Sequence, residues 1–242
     1  MKDKKELRIF GAGVRARGAI DLVEWQFRDE VIVEGYYEDR ELEGGKGPGG
    51  YPILGSVAEG IEQAPQHDFN VFLALGPRAS HRAYEIFLRL QAQGVKILSL
   101  IAKTAHISPS ANIGQNALIF PGVYIGPEVE IGHLFVAFGG CTMEHDSCVG
   151  HNVLLGPGVT MSGFAKIANH SFIGVGSVIM PEVNVGTGTV VGAGSLVNRD
   201  IPDYMLAFGQ PAVVHRVVRG DDEVPTEVQI KQLVEYEKKN MS

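Results

Sequence analysis

The 242-residue chain is predicted to fold as a small α/β domain followed by a parallel β-helix and a C-terminal extension. Three observations predict this. An apolar residue returns at every sixth position from Ile107 to Val197, sixteen times without a break. The residue two places earlier is small or β-branched at most rungs (Ala111, Ala117, Val123, Cys141, Ser147), and the one after is often glycine (Gly114, Gly126, Gly132, Gly150). The first hundred residues instead alternate strand-like and helix-like patterns. A sustained six-residue period marks stacked coils, and alternation of strand and helix marks a parallel sheet.

Taken in order, 7–10 reads as a strand leading into Gly11-Ala12-Gly13, and 14–28 carries a helical stripe of Ala16, Ile20, Val23 and Phe27. Residues 31–37 form a second strand ending at Glu38-Asp39, and 44–50 is a mobile glycine-rich loop containing Lys46. A short helix is expected at 57–64 and a buried strand at 69–75. An amphipathic helix at 77–93 (Ala79, Ala83, Phe87, Leu90) and a strand at 95–101 complete a half-Rossmann unit. The domains are expected at 1–103, 104–202 and 203–242.

Gly11-Ala12-Gly13-Val14-Arg15-Ala16 fits the G-x-G-x-x-[GA] pattern between a strand and a helix, where backbone can approach a phosphate. The domain is too short for both halves of a dinucleotide fold. A single nucleotide or a nucleotide-linked substrate fits better, and a plain glycine turn is the alternative. Gly11 and Gly13 would admit the phosphate, Asp39 would accept hydrogen bonds from ribose or base, and Arg78, with Arg82, would reach phosphates.

In the repeat, each hexad is a short strand whose first and third side chains point inward, followed by a corner. Glycine suits the corner because turns need permissive backbone angles. Three hexads close a coil of eighteen residues, so position i lies under i+18, about 4.8 Å away. Folded this way, the outward residues form three faces. One is polar (Asn112, Glu130, Cys148, Lys166, Asn184), one mixed (His106, Tyr124, Thr142, Thr160, Val178, Leu196) and one apolar (Leu118, Val136, Leu154, Phe172, Val190). The apolar stripe should be covered by a neighbouring subunit, the C-terminal helix or the N-terminal domain, with a ring-closing subunit contact preferred.

A corner column reads Pro109, Pro127, His145, Gly163, Pro181. Proline presets the turn, and two adjacent rungs give it up for an imidazole and a glycine. A base beside an unobstructed backbone N–H is what acyl transfer needs. Glu144 and Asp146 flank His145, and either is placed to orient its ring. His133 and His151 share a second column with Asn169, but no third ligand accompanies them and no metal is expected.

The net charge of −7 argues against a nucleic-acid or anionic-membrane surface. The charged start MKDKKE and the short apolar run behind it give no signal or membrane span, so a cytoplasmic protein is expected. Of two cysteines, Cys141 should point inward and Cys148 outward, without a disulfide.

These motifs, together with Gly209-Gln210-Pro211-Ala212 after the repeat, resemble the bacterial hexapeptide sugar acyltransferases, the group of sialic-acid O-acetyltransferases and amino-sugar N-acetyltransferases. The resemblance spans nearly the whole chain. It implies a left-handed β-helix, a homotrimer, a UDP- or other nucleotide-sugar held by the N-terminal domain, and acetyl-CoA as co-substrate. It further implies direct acetyl transfer to an amine or hydroxyl with His145 as general base and Asp146 supporting it. Gly163 would offer its N–H to the thioester oxygen, and Val175 and Ala193 would line the pantetheine. The family usually carries Asn and His where this chain has Phe138 and Leu154, so the acceptor or the acyl group is expected to differ, or the activity to be reduced. A nucleotide-sugar-binding trimer of weak activity and a metal enzyme of the γ-carbonic-anhydrase kind are the alternatives. After the repeat, 204–219 should run back along the prism and 226–239 form a helix.

Overall fold

A computed structural model describes residues 4–75 and 80–218. Described residues up to Lys103, with Gln115–Leu118, form one compact unit; Thr104–Gly114 and the residues from Ile119 onward form the other. Arg78 and the helix expected at 226–239 lie outside the described residues.

The first unit runs β1 (Lys5–Phe10), α1 (Val14–Leu22), β2 (Val31–Tyr37), β3 (Ile53–Gly55), α2 (Val57–Gln63), β4 (Asn70–Leu73), α3 (Ser80–Ala92) and β5 (Lys96–Ile97). Its sheet is parallel throughout in the order β3-β2-β1-β4-β5. The central strands bury Leu7, Ile9, Phe10, Tyr36, Tyr37, Phe72 and Leu73 completely, as expected of strands covered on both faces. Helix α1 packs Ala16, Ala19 and Ile20 inward and widens into a π turn at Val23–Phe27.

Two expectations for this unit change, and one strand is added. β3 lies in a stretch to which the sequence assigns no element; three residues are too few to show a period, and only pairing with β2 makes them a strand. The glycine-rich loop is tied down rather than mobile: the Tyr36 hydroxyl donates to the Pro48 carbonyl at 2.8 Å, and Gly47 N–H donates to Tyr51 O at 2.8 Å. The last strand divides into β5 and Leu100–Ile101, whose Leu100 N–H donates to Ala117 O at 2.8 Å.

The second unit is the left-handed β-helix. Its strands pair in parallel at a spacing of eighteen residues on every face: Tyr124 with Thr142, Glu130 with Cys148, Val136 with Leu154. Ile125, Met143, Met161 and Ile179 fill one inner wall and are fully buried. The polar face is exposed along Asn112, Glu130, Cys148, Lys166 and Asn184. On the apolar face Val136 is buried, while Leu154 and Val190 are half-buried and Phe172 is exposed.

The glycines after the apolar positions serve a purpose other than the expected one. Their backbone angles are ordinary; the left-handed positions lie two residues further on, at Gly122, Gly140, Asp146, Phe164 and their equivalents. What the glycines supply is clearance. A Cβ on Gly114 would come within 2.6 Å of the Gly132 carbonyl carbon, and one on Gly174 within 2.5 Å of Ala193 N. At these rungs a side chain would have to displace the backbone of the next coil, whereas on other rungs Phe120, Phe138, Glu144 and Met180 fill the equivalent place.

The segment after the repeat is a hairpin rather than a strand running back along the prism. Met205–Gly209 continues the apolar face in parallel with Val190–Val191, and Ala212–Val217 returns antiparallel to it.

Candidate active site

The corner between the first and second faces carries His145. Met143, fully buried, anchors the preceding strand, so the residue two places on stands at the corner tip. Asp146 takes the left-handed conformation (φ 58°), which short polar side chains tolerate. Its Oδ2 lies 2.9 Å from His145 Nδ1, and both side chains are about half exposed. A carboxylate only accepts, so Nδ1 carries the proton and Nε2 presents its lone pair outward. Asp146 rather than Glu144 orients the ring.

Gly163 lies one coil further along. A Cβ here would meet His145 Cε1 at 2.8 Å and Nε2 at 2.9 Å. No left-handed angle is required at this residue, so glycine is needed for space beside the imidazole. Among the described residues its N–H makes no hydrogen bond, whereas its carbonyl accepts from Glu182 N–H at 3.2 Å. Phe164 meets the His145 ring edge to face, centroids 5.3 Å apart at 86°.

The second histidine column is built differently. His133 N–H donates to His151 Nδ1 at 3.0 Å, and His151 N–H donates to Asn169 Oδ1 at 2.7 Å. The two rings stack 5.0 Å apart and nearly parallel. Partial burial, and secondly the neighbouring His151, push the His133 imidazole pKa down. Among the described residues no group of three or more His, Cys, Asp and Glu could hold a metal ion.

Val175 and Ala193 share the corner between the apolar and mixed faces, and Val175 is 53% exposed. They are therefore on a different edge of the prism from His145 and Gly163. Phe138 stacks on Phe120, centroids 5.0 Å apart, and Leu154 sits on the apolar face between Val136 and Phe172.

In the first unit, Gly11 is left-handed (φ 92°) and packs so closely that a Cβ would lie 3.2 Å from Leu75 N. Gly13 precedes α1, and among the described residues only Arg40, at 3.8 Å, approaches the place a Cβ would take. Asp39 accepts from Val57 N–H at 2.9 Å, capping α2, and pairs with Arg82 at 2.7 Å. The acid at the glycine loop is Glu38, which receives Ala12 N–H at 2.8 Å and three donors from Arg40. The Arg40 hydrogen bonds, helped by Ala12 N–H, hold the Glu38 carboxyl at about 2. Sequence reasoning missed Glu38 because two adjacent acids end β2, and only the exit of the chain at Tyr37 decides which turns to the loop.

Among solved structures, PerB from Caulobacter crescentus in complex with CoA and GDP-perosamine aligns with a TM-score of 0.77 at 26% identity, over 89% of this chain and 98% of that one. The acetyltransferase domain of PglB from Neisseria gonorrhoeae, in complex with acetyl coenzyme A, aligns at 0.78 and 26%, over 88% and 100%. The chain is similar to bacterial sugar acyltransferases of the hexapeptide-repeat family. WeeI from Acinetobacter baumannii shares the fold at 0.62 and 22%, over 88% and 100%. Two further structures of the Caulobacter GDP-perosamine N-acetyltransferase carry alanine or asparagine in place of one histidine. No family model and no curated protein matches the sequence. Among the described residues no helix is long and apolar enough to cross a membrane.

Proposed function

We propose that the protein is an acetyl-CoA-dependent acetyltransferase acting on an amino or hydroxyl group of a nucleotide-linked sugar, with His145 as general base. The observation that carries the reading is the His145 corner: an imidazole oriented through Nδ1 by Asp146, beside the Gly163 N–H, which has no partner among the described residues. His145 Nε2 takes the proton of the acceptor as its nitrogen or oxygen attacks the thioester carbonyl. Gly163 N–H donates to the oxyanion that forms, which is the preorganised stabilisation acyl transfer requires. Collapse expels the CoA thiolate, and the imidazolium returns the proton to that sulfur. No acyl-enzyme is formed.

The acetyl donor follows from neighbours crystallised with CoA or acetyl coenzyme A, and the acceptor class from the one crystallised with GDP-perosamine. Val175 and Ala193, on another prism edge, suit a pantetheine held between adjacent subunits of a homotrimer. In the N-terminal unit, Gly11 and Gly13 with Asp39 and Arg78 are assigned to the nucleotide, and Glu38, held by Arg40, braces the glycine loop. The three domains are proposed at 1–103, 104–202 and 203–242, and the site of action in the cytoplasm.

The test is thiol release from acetyl-CoA with GDP-perosamine and a panel of UDP-amino sugars as acceptors. Turnover with at least one acceptor, lost in His145→Ala, is the expected result. Absence of turnover across the panel, or full rate in His145→Ala, ends the catalytic reading.

A further inference from the structure

Phe164 stands out from every other residue in its conformation. It occupies the left-handed region (φ 61°), where a side chain bearing a Cβ is strained. Three other bulky residues of the helix corners share that strain, and each gains a contact from it: His170 (φ 61°) has its Nδ1 3.1 Å from Asn152 Nδ2. Leu134 (φ 61°) is buried. Tyr204 (φ 59°) lays its ring within 2.6 Å of where a Cβ of Gly188 would stand. Phe164 stays half exposed, at 51%, with its ring perpendicular to that of the base. Asp and Glu fill the equivalent corner positions at Asp146, Glu128 and Glu182, so the repeat makes no demand for an aromatic here.

The ring forms one wall of a recess of about 500 Å³ whose other lining residues are Asp146, Lys166, Glu182 and Asn184. Among the described residues, Lys166 and the Glu182 carboxylate make no ion pair or side-chain hydrogen bond. One aromatic face ringed by acids, an amine and an amide, next to a general base, has the composition of a saccharide site. A pyranose presents C–H bonds on one face and hydroxyls or amines around its rim. The C–H face suits the negative face of an aromatic ring, and the rim suits the polar side chains.

We propose that Phe164 is the platform on which the acceptor sugar stacks, with Asp146, Lys166, Glu182 and Asn184 around its rim, so that the sugar's nucleophile faces His145. The proposal rests on the acceptor being a nucleotide-linked sugar, and it adds the residue that holds the sugar portion. It accounts for the strain: an exposed ring is retained at an unfavourable corner because the sugar covers it.

Equilibrium binding, measured by calorimetry without acetyl-CoA, separates this assignment from the catalytic reading, since it needs no turnover. The probes are GDP-perosamine and GDP. Wild type should bind GDP-perosamine more tightly than GDP; Phe164→Ala should lose that margin, weakening GDP-perosamine at least tenfold while leaving GDP unchanged. Phe164→Tyr should keep the margin within about threefold. The assignment is overturned if wild type shows no margin, if Phe164→Ala keeps it, or if the variant weakens both probes equally. It is also overturned if Phe164→Ala changes the assembly state in solution, because the ring would then be a subunit contact.

Discussion

His145 and His151 occupy the same place in the hexad, two residues after a buried apolar anchor, yet the structure uses them in different ways. At His151 the ring lies along the column: Nδ1 accepts the backbone N–H of His133, and its own N–H is accepted by Asn169. At these two rungs each side chain caps the rung before it, and the same contact recurs where Thr187 N–H donates to Asp203 at 2.7 Å. At His145 the next rung is Gly163, which has no side chain to accept anything, and the ring turns outward to Asp146. A corner histidine is a strut where the preceding rung offers a backbone N–H for its ring to accept, as His133 does for His151, and its ring is left for other use where that rung is Pro127, which has no N–H.

The comparison breaks most directly by exchanging the losses. His145→Ala should lower kcat/KM about 10²- to 10⁴-fold, the usual contribution of a general base, with the melting temperature unchanged; thiol release and a thermal melt read both. Next in size, Gly163→Ala should reduce kcat about 10- to 100-fold, because its methyl displaces the imidazole and small misplacements are costly in transfer reactions. The same melt should show little change, since the backbone angle there suits alanine.

His151→Ala should do the reverse of His145→Ala. It leaves His133 N–H without its acceptor and removes the ring stack, so urea unfolding should show a loss of about 1–2 kcal/mol, with kcat within twofold of wild type. If His151→Ala abolished turnover and kept stability, the distinction between the two columns would be wrong.

Glu38 extends the comparison to the first unit. Its carboxylate is saturated by Ala12 and Arg40, so it acts as a strut for the glycine loop. The folded-state pKa is depressed to about 2, so the stabilisation is fully present above the unfolded carboxyl value and is lost as pH falls through the folded one. Glu38→Gln should therefore cost about 1 kcal/mol at pH 7, discounted for the exposed Arg40 partner, with the gap to wild type closing towards pH 2 in denaturant melts. The smallest effect belongs to Ser147, whose buried hydroxyl has no partner among the described residues. Ser147→Ala should be neutral or stabilising by up to about 1 kcal/mol, whereas Ser171, which donates to Gly186 O at 2.8 Å, should not tolerate the same change.

Much of the site was legible because the repeat converts sequence distance into space. Eighteen residues separate His145 from Gly163, and a column drawn on paper places them together as the coils do. Phe164 was invisible by the same method. Its column holds acids, and nothing in the order of residues says that this ring stays outside while Leu134, equally bulky and equally left-handed, is swallowed by the core. The N-terminal motif had the opposite fault: Gly11 and Gly13 marked the loop, but the choice between Glu38 and Asp39 depends on how β2 ends against α2.

By itself, then, the sequence determined the coil, its eighteen-residue register, the inward residues and the corner where proline yields to His145. It could do so because a strand has a period of two and an apolar side chain has one favourable direction. Tertiary structure alone decided which polar groups meet which backbone N–H groups, why glycine follows so many of the apolar rungs, and that β3 is a strand. Those outcomes depend on distances of a few tenths of an ångström between chain segments far apart in sequence, and composition and spacing carry no record of them.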